Sequence, residues 1–320
     1  MKQKTVYILL ASFNGEKFIS QQIESIIQQT YKNWKLIIRD DGSTDAVVSI
    51  IQQYANRFPE QIVLVKDNLG NLGSTANFNV LFQNAKHAEY IMFSDQDDVW
   101  LPNKIELTIG EMIKNENTFS LQTPLLVYTN FIYSDNNLNP IASKKNFSST
   151  KVDELKFEHL LAQNPAHGCT MLLNKKLIET IDCISAAAEN HDYWIALVAA
   201  AFGKIIYLHQ PTVLYRQHQL NISGQHDNSS LKKRLTRNII SKKIFEDIQR
   251  KFRMAAQFKK QYQKLLSTEQ NNLLNDFVQL SNSKNLVLLF KNFKRGIKRQ
   301  TMPQTFLFYL AILLKRKTLI

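Results

Sequence analysis

Asp95, Asp97 and Asp98 crowd the end of an apolar run in FSDQDDVW, Phe93 to Trp100. Clustered carboxylates repel one another unless a cation or hydrogen-bond donors compensate them. A hard divalent ion, Mn²⁺ or Mg²⁺, takes one or two carboxylates and completes its shell with phosphate oxygens, which suits a reaction that expels a diphosphate. The plainer account is a solvated acidic turn or an N-cap, since short Asp-rich turns are common. A second pair, Asp40 and Asp41 in RDDGSTD, can accept hydrogen bonds from the imide N–H of a pyrimidine or from ribose hydroxyls. Here too a bland account stands beside the functional one: Gly42 permits a tight turn, and Ser43, Thr44 or Asp45 can cap the next helix.

Both clusters end strand-like segments. VYILLAS, WKLIIRD, QIVLVKD and EYIMFSD are apolar runs of strand length, and EKFISQQIESIIQQ and AVVSIIQQYANRF, with apolar residues at helical spacing, lie between the first three. Strands alternating with helices imply an α/β fold whose mainly parallel sheet is flanked by helices and binds ligands at the strands' carboxyl ends. The candidate positions are therefore Ser12 to Asn14, Asp40 to Asp45, Asp67 to Gly73 and Asp95 to Asp98. Further along, LLVYTNFIYSD and HGCTMLLNK read as strands, NHDYWIALVAAAFG as a helix closed by Gly203, and KIIYLHQPTVLYRQH as a strand broken near Pro211. Residues 142–153 read as a mobile loop.

The order of these segments resembles glycosyltransferase family 2, whose members have the Rossmann-like GT-A fold. The short polar turn after the first strand (Ala11 to Asn14), the Asp-Asp-Gly-Ser after the second (Asp40 to Ser43), the Asn-Gly-rich NLGNLGSTANFN and the Asp-x-Asp-Asp after the fourth (Asp95 to Asp98) occur in sequence. The resemblance runs from about residue 5 to 225. It implies that Ser12, Asn14, Asp40, Asp41 and Asn71 meet the donor, with Asp40 or Asp41 at the nucleobase. Asp95 would serve ribose or metal, Asp97 the metal directly, and Asp98 would stand behind them. Inverting members use a late acidic residue as general base, and Asp192 in HDYW is the matching position; the role needs a carboxylate beside the acceptor hydroxyl as the sugar loses its diphosphate. Asp192 also opens a helix, where a carboxylate can merely complement the dipole. His191 stands where the family usually has Glu. Arg216 and His218 fall where relatives hold groups near the diphosphate: a guanidinium can neutralise phosphate and an imidazole can ligate the metal. Gly168 and Cys169 fit a close approach to sugar or acceptor, or simply a packed strand.

The Gln-x-x-Arg-Trp of processive members is absent, so a single sugar addition is expected. FSDQDDVWLPNK, HDYW and YRQH look most like bacterial rhamnosyltransferases of surface-polysaccharide synthesis. That likeness implies dTDP-rhamnose as donor, with a UDP-hexose as the alternative, and a glycan or polyprenyl-linked acceptor. A catalytically silent relative that serves as a binding partner is the other alternative. No G-x-G-x-x-G follows the first strand, which argues against a dinucleotide-dependent oxidoreductase.

The 320 residues carry net charge +13, distributed unevenly. His226 to Ile320 holds 21 Lys and Arg against 5 Asp and Glu, whereas Met1 to Gln225 holds 19 against 22. With the resemblance implying a GT-A domain over 1–225, the charge predicts a separate basic α-helical region over 226–320, suited to an anionic membrane surface or to packing on protein, with homo-oligomerisation left open. LKKRLTRNIISKKIF and KNFKRGIKRQ interleave cations with apolar residues, and FLFYLAILLKRK adds a short apolar segment flanked by charge. A nucleic-acid ligand would explain the basic tail but not the acidic strand ends, so none is expected. Two cysteines, Cys169 and Cys183, indicate neither a disulfide framework nor a zinc site. With no run of about 20 apolar residues, the expectation is a cytoplasmic enzyme, peripheral at the inner face of the cell membrane.

Overall fold

The computed structural model describes residues 4–142, 155–218, 242–283 and 285–314. Chain contacts divide the molecule into two units: Met1–Leu155, Pro165–Ala186 and Asn190–His218 form one, and Lys156–Asn164, Ala187–Glu189 and Gln219–Ile320 the other. The sequence boundary near Gln225 and the loop at 142–153 fall largely outside the described residues.

The first unit is built on an eight-stranded sheet. Its strands are β1 (Val6–Ser12), β2 (Trp34–Asp40), β3 (Ile62–Leu64), β4 (Tyr90–Ser94), β5 (Val99–Trp100), β6 (Leu125–Ser134), β7 (Met171–Asn174) and β8 (Lys204–Arg216), in spatial order β3-β2-β1-β4-β7-β6-β8-β5. β3, β2, β1 and β4 are mutually parallel; β7 runs antiparallel to both β4 and β6, β8 lies parallel to β6, and β5 pairs antiparallel with β8. Flanking helices are α1 (Ile19–Ile27), α2 (Val47–Arg57), α3 (Ser74–Asn84), α4 (Lys104–Phe119), α6 (Lys175–Thr180) and α7 (His191–Phe202); α5 (Phe157–Leu160) belongs to the second unit. Every residue of β4 is buried, as a central strand covered on both faces requires. Ile8, Leu10 and Met92 share a core with Ile19, Ile23 and Ile26 of α1, Val47 and Ile51 of α2, and Ile105 and Ile109 of α4. On the opposite face Phe93 meets Phe78 of α3 and His191 of α7, because neighbouring residues of a strand point to opposite sides.

Three local expectations change. The HGCT of HGCTMLLNK forms a short 3-10 turn, Gly168–Thr170, and only Met171–Asn174 is strand. β8 is not broken at Pro211; it bulges, with its register on β6 shifting between Leu208 and Pro211, so the proline sits where the ladder is already interrupted. Gly203 does end α7, but with φ −152° it makes no left-handed turn. A Cβ there would lie 1.8 Å from the Pro124 carbonyl oxygen, so close backbone approach explains the glycine.

The second unit contains α5 and four helices of the C-terminal region, α8 (Lys242–Tyr262), α9 (Thr268–Gln279), α10 (Leu286–Lys294) and α11 (Met302–Leu314). Ser267 and Gln270 make a reciprocal capping box at the start of α9, and Asn285 caps α10 through the N–H groups of Val287 and Leu288. Phe258 packs on Phe157, and Phe252 on Phe277. Buried Lys251 pairs with Glu189 and Asp247, which also receives Arg299, so part of the basic charge is internal to this unit.

Candidate active site

Topology brings the polar segments to one edge. β1, β2 and β4 are parallel, so Ser12, its register partner Asp40, and the Asp95–Asp98 turn leave the sheet on the same side. β7 is antiparallel to β4, so Gly168–Thr170, just before its first residue, reaches that edge too. Arg216 ends β8 opposite Ser134 of β6.

At the β2 end the two aspartates do different work. Asp40 accepts from the Gly42 and Ser43 N–H groups, at 3.0 and 2.8 Å, and from the Ser43 hydroxyl at 2.5 Å. Buried Asp41 accepts from the Leu72 and Gly73 N–H groups, at 2.9 and 2.8 Å, and from Arg39 Nη1 at 2.8 Å. Asp41 thereby ties the Asn-Gly-rich segment to β2. Arg39, fully buried, reaches Asp67, Asn77 and the Gly70 carbonyl as well. The Asp67 hydrogen bond above all raises the Arg39 pKa, and Arg39 in turn lowers that of Asp67, so both stay charged. Asn71 is exposed above Gly42, whose φ of +83° suits glycine. Asn14, itself at φ +48°, accepts from the Thr44 N–H, linking the β1 and β2 turns. The Ser12 hydroxyl is buried without a hydrogen-bond partner.

The Asp95–Asp98 turn is held from behind. Arg216 donates from its backbone N–H to Asp98 Oδ1 at 3.0 Å and from Nε to the Asp97 carbonyl at 2.7 Å; its remaining nitrogens reach the Asn136 carbonyl and Gln21. Its guanidinium also stacks 4.8 Å from the Phe18 ring. With these acceptors engaged, Arg216 braces the acidic turn. His218 Nε2 contacts Asp97 Oδ2 at 2.7 Å, and its ring stacks on the same Phe18 at 4.8 Å. Asp98 is buried, with Oδ2 lacking a hydrogen-bond partner and the Cys169 sulfur close by. Burial, then neighbouring carboxylates, pushes the Asp98 carboxyl and Cys169 thiol well up. Asp95, partly buried, is raised to about 7 by desolvation and then by the charges of Asp97 and Asp192.

Asp192 completes the group. It stands in the first turn of α7, its Oδ2 accepts from the Gly168 N–H at 3.0 Å, and its charge helps to raise Asp95. His191 points the other way. Its ring packs 3.8 Å from Phe78, its Nε2 is buried without a hydrogen-bond partner, and burial drives its pKa down to about 3, so it is neutral. A Cβ on residue 168 would lie 2.4 Å from that nitrogen.

Residues 7–181 match the profile described as Glycosyl transferase family 2. The chain belongs to this family. Among similar proteins, the glycosyltransferase is 29% identical over 226 residues to a dTDP-rhamnosyl transferase, RfbG, of Shigella flexneri, covering 67% of this chain and 73% of that one. It is 28% identical over 199 residues to the UDP-Glc:alpha-D-GlcNAc-diphosphoundecaprenol beta-1,3-glucosyltransferase WfgD of Escherichia coli, covering 62% and 71%. Among solved structures, S. aureus TarS in complex with UDP-GlcNAc superposes with TM-score 0.57 at 15% identity, covering 96% of this chain and 79% of that one. A Pyrobaculum calidifontis mannosyltransferase with GDP-Man and Mn²⁺ gives 0.53 at 15%, covering 97% and 84%. These likenesses show the GT-A fold.

The glycosyltransferase edge fits a hard divalent ion better at its outer carboxylates than at its inner ones. Asp95, Asp98 and Cys169 place one ligand atom each within 4.8 Å of one another. A buried thiol held protonated is a poor partner for an oxygen-seeking ion. Asp97 and His218 are the more accessible pair, and their 2.7 Å contact approaches the roughly 3 Å between adjacent ligands of an octahedral ion with bonds of about 2.1 Å. Several residues that shape the site gave no sequence signal: Arg39, Phe18, and Gln96, which exchanges hydrogen bonds with the Phe13 backbone and fills the space a Gly15 side chain would need. Lys104 is buried behind the turn, its ammonium over the Trp100 ring and 3.3 Å from Thr212 Oγ1, and burial lowers it to about 8. Its hydrogen-bond partner Thr212 lies 108 residues away.

Proposed function

We propose that this glycosyltransferase moves a single sugar, with inversion, from a nucleotide sugar to a glycan or polyprenyl-linked acceptor in surface-polysaccharide synthesis. dTDP-rhamnose is the favoured donor, a preference supported by the likeness to the S. flexneri rhamnosyl transferase, with UDP-hexose second, supported by the likeness to the E. coli glucosyltransferase. The observation that carries the reading is the carboxylate of Asp192 held by the Gly168 N–H, which stands just before β7 at the edge where the β1, β2 and β4 turns converge. Asp192 takes the proton of the acceptor hydroxyl; its Gly168 hydrogen bond orients the carboxylate. Asp40, with Ser12, Asn14 and Asn71 around it, receives the nucleoside, while Asp41 keeps that pocket in shape. Asp97, Asp95 and His218 would hold Mn²⁺ or Mg²⁺, which when bound supplies positive charge against the departing diphosphate. Arg216 fixes the Asp97–Asp98 backbone and so the carboxylates' direction.

Asp192→Asn tests the base. It keeps the shape and removes the proton acceptor, so titration calorimetry is expected to find donor affinity unchanged, while turnover falls on the order of 10²-fold or more. Loss of donor affinity with turnover preserved at saturation would overturn the assignment. NMR of the product is expected to show the anomeric configuration opposite to that of the donor.

A further inference from the structure

The last helices of the second unit carry more apolar surface than that unit covers. α11 has no charged residue from Met302 to Leu314. It buries Thr305, Phe308, Ala311 and Ile312, yet leaves Met302, Phe306 and Leu314 exposed at 61%, 67% and 53%. Met302, Phe306, Tyr309 and Leu313 recur at helical spacing on this second face. A helix apolar all round normally lies buried all round or meets a non-aqueous phase. α10 shows the same imbalance, burying Leu288 and Leu289 while Val287 and Phe290 are 77% and 58% exposed. The two helices are joined here, since Phe293 meets the Tyr309 ring and Tyr309 Oη donates to the Ile297 carbonyl at 2.8 Å.

Charge says what covers this face. Asn285 to Leu314 contains five Lys or Arg and no Asp or Glu, and the sequence continues into Lys315, Arg316 and Lys317, outside the described residues. Lys294 and Lys298 extend over the Phe290 and Phe293 rings at 4.7 and 4.5 Å. A stem along apolar surface beneath a cationic head is how lysine sits at a bilayer boundary. At 13 residues α11 is only about 20 Å long, and no helix among the described residues is long and apolar enough to cross a membrane. We propose that Val287, Phe290, Met302 and Phe306, rimmed by Lys294 and Lys298, form a docking surface for an anionic lipid bilayer. It stands apart from the assignment of donor and base.

The test is cosedimentation of the full chain with phosphatidylcholine vesicles, with and without phosphatidylglycerol. The wild type is expected to bind the phosphatidylglycerol vesicles in a salt-sensitive way and the neutral ones weakly. Phe290→Ser with Phe306→Ser should cut binding about tenfold or more, and Lys294→Gln with Lys298→Gln about fivefold per cation on anionic vesicles only. Circular dichroism should show both double variants folded, as expected for exposed positions. No binding by the wild type, or variants that bind as it does, would overturn the proposal. So would lipid indifference combined with a concentration-dependent dimer that the Phe290→Ser and Phe306→Ser pair dissolves, which would make this face an interface between copies.

Discussion

At Gly168 the missing side chain matters more than any neighbouring one present. The His191 ring is packed against Phe78 and Phe93, so it cannot retreat from a Cβ 2.4 Å away, and α7 would have to shift with the carboxylate of Asp192. Gly168→Ala is therefore expected to lower turnover on the order of 10²-fold, the scale of an ångström-sized misplacement. Donor affinity should stay within about twofold of wild type. Adding His191→Ser should restore part of the loss; steady-state kinetics with both variants checks this, and wild-type rates in Gly168→Ala would contradict it. Asp97→Ala should abolish transfer and the cation dependence of donor binding in calorimetry, with the thermal transition retained. The aspartates were legible because their types, in pairs after apolar runs, already implied chemistry. Arg39 and Gln96 were not, because Asp67 lies 28 residues from the first and Phe13 lies 83 from the second. A buried cation or amide announces itself only through such partners.

Among the elements, the link between β2 and the start of α3 carries the clearest energetic consequence. Asp41 satisfies two backbone N–H groups and one face of the buried Arg39, so Asp41→Ala takes the acceptor from the Leu72 and Gly73 N–H groups and leaves Arg39 to Asp67 and Asn77. Leaving a partly buried donor without its acceptor costs about 1–3 kcal/mol. Urea titration should show a loss of that size, together with weaker donor binding, whereas a change under about 1 kcal/mol would mean the loop is held by other contacts. The strands were readable from apolar runs, since β4 is buried throughout and β1 and β2 over most of their lengths, as the inner strands of a parallel sheet are. What periodicity could not supply was local geometry. The 3-10 turn at Gly168–Thr170 looks like strand because its residues are buried among strands, and the bulge in β8 depends on how β6 pairs with it.

For the molecule as a whole, charge is uneven: Met1 to Gln225 is nearly neutral and His226 to Ile320 strongly basic. Composition could not reveal that Lys156–Asn164 and Ala187–Glu189 leave the catalytic stretch of sequence to join the helical unit. Phe157 rests on Phe258, Glu189 pairs with Lys251, and Glu158 crowds Gly296. A chain ending at Gln225 loses all three partners and exposes Phe157, Leu160 and Leu161. Size-exclusion chromatography is expected to find it aggregated, where the full chain elutes as a defined species. In the proposed reaction the carboxylate edge uses a divalent cation to transfer sugar from a nucleotide donor. Release of nucleoside diphosphate from dTDP-rhamnose, UDP-hexoses and GDP-mannose, with Mn²⁺ or with chelator, tests it most directly. Release from one donor, dTDP-rhamnose foremost, that vanishes with chelator and in Asp97→Ala is the predicted result; equal release in chelator would contradict it.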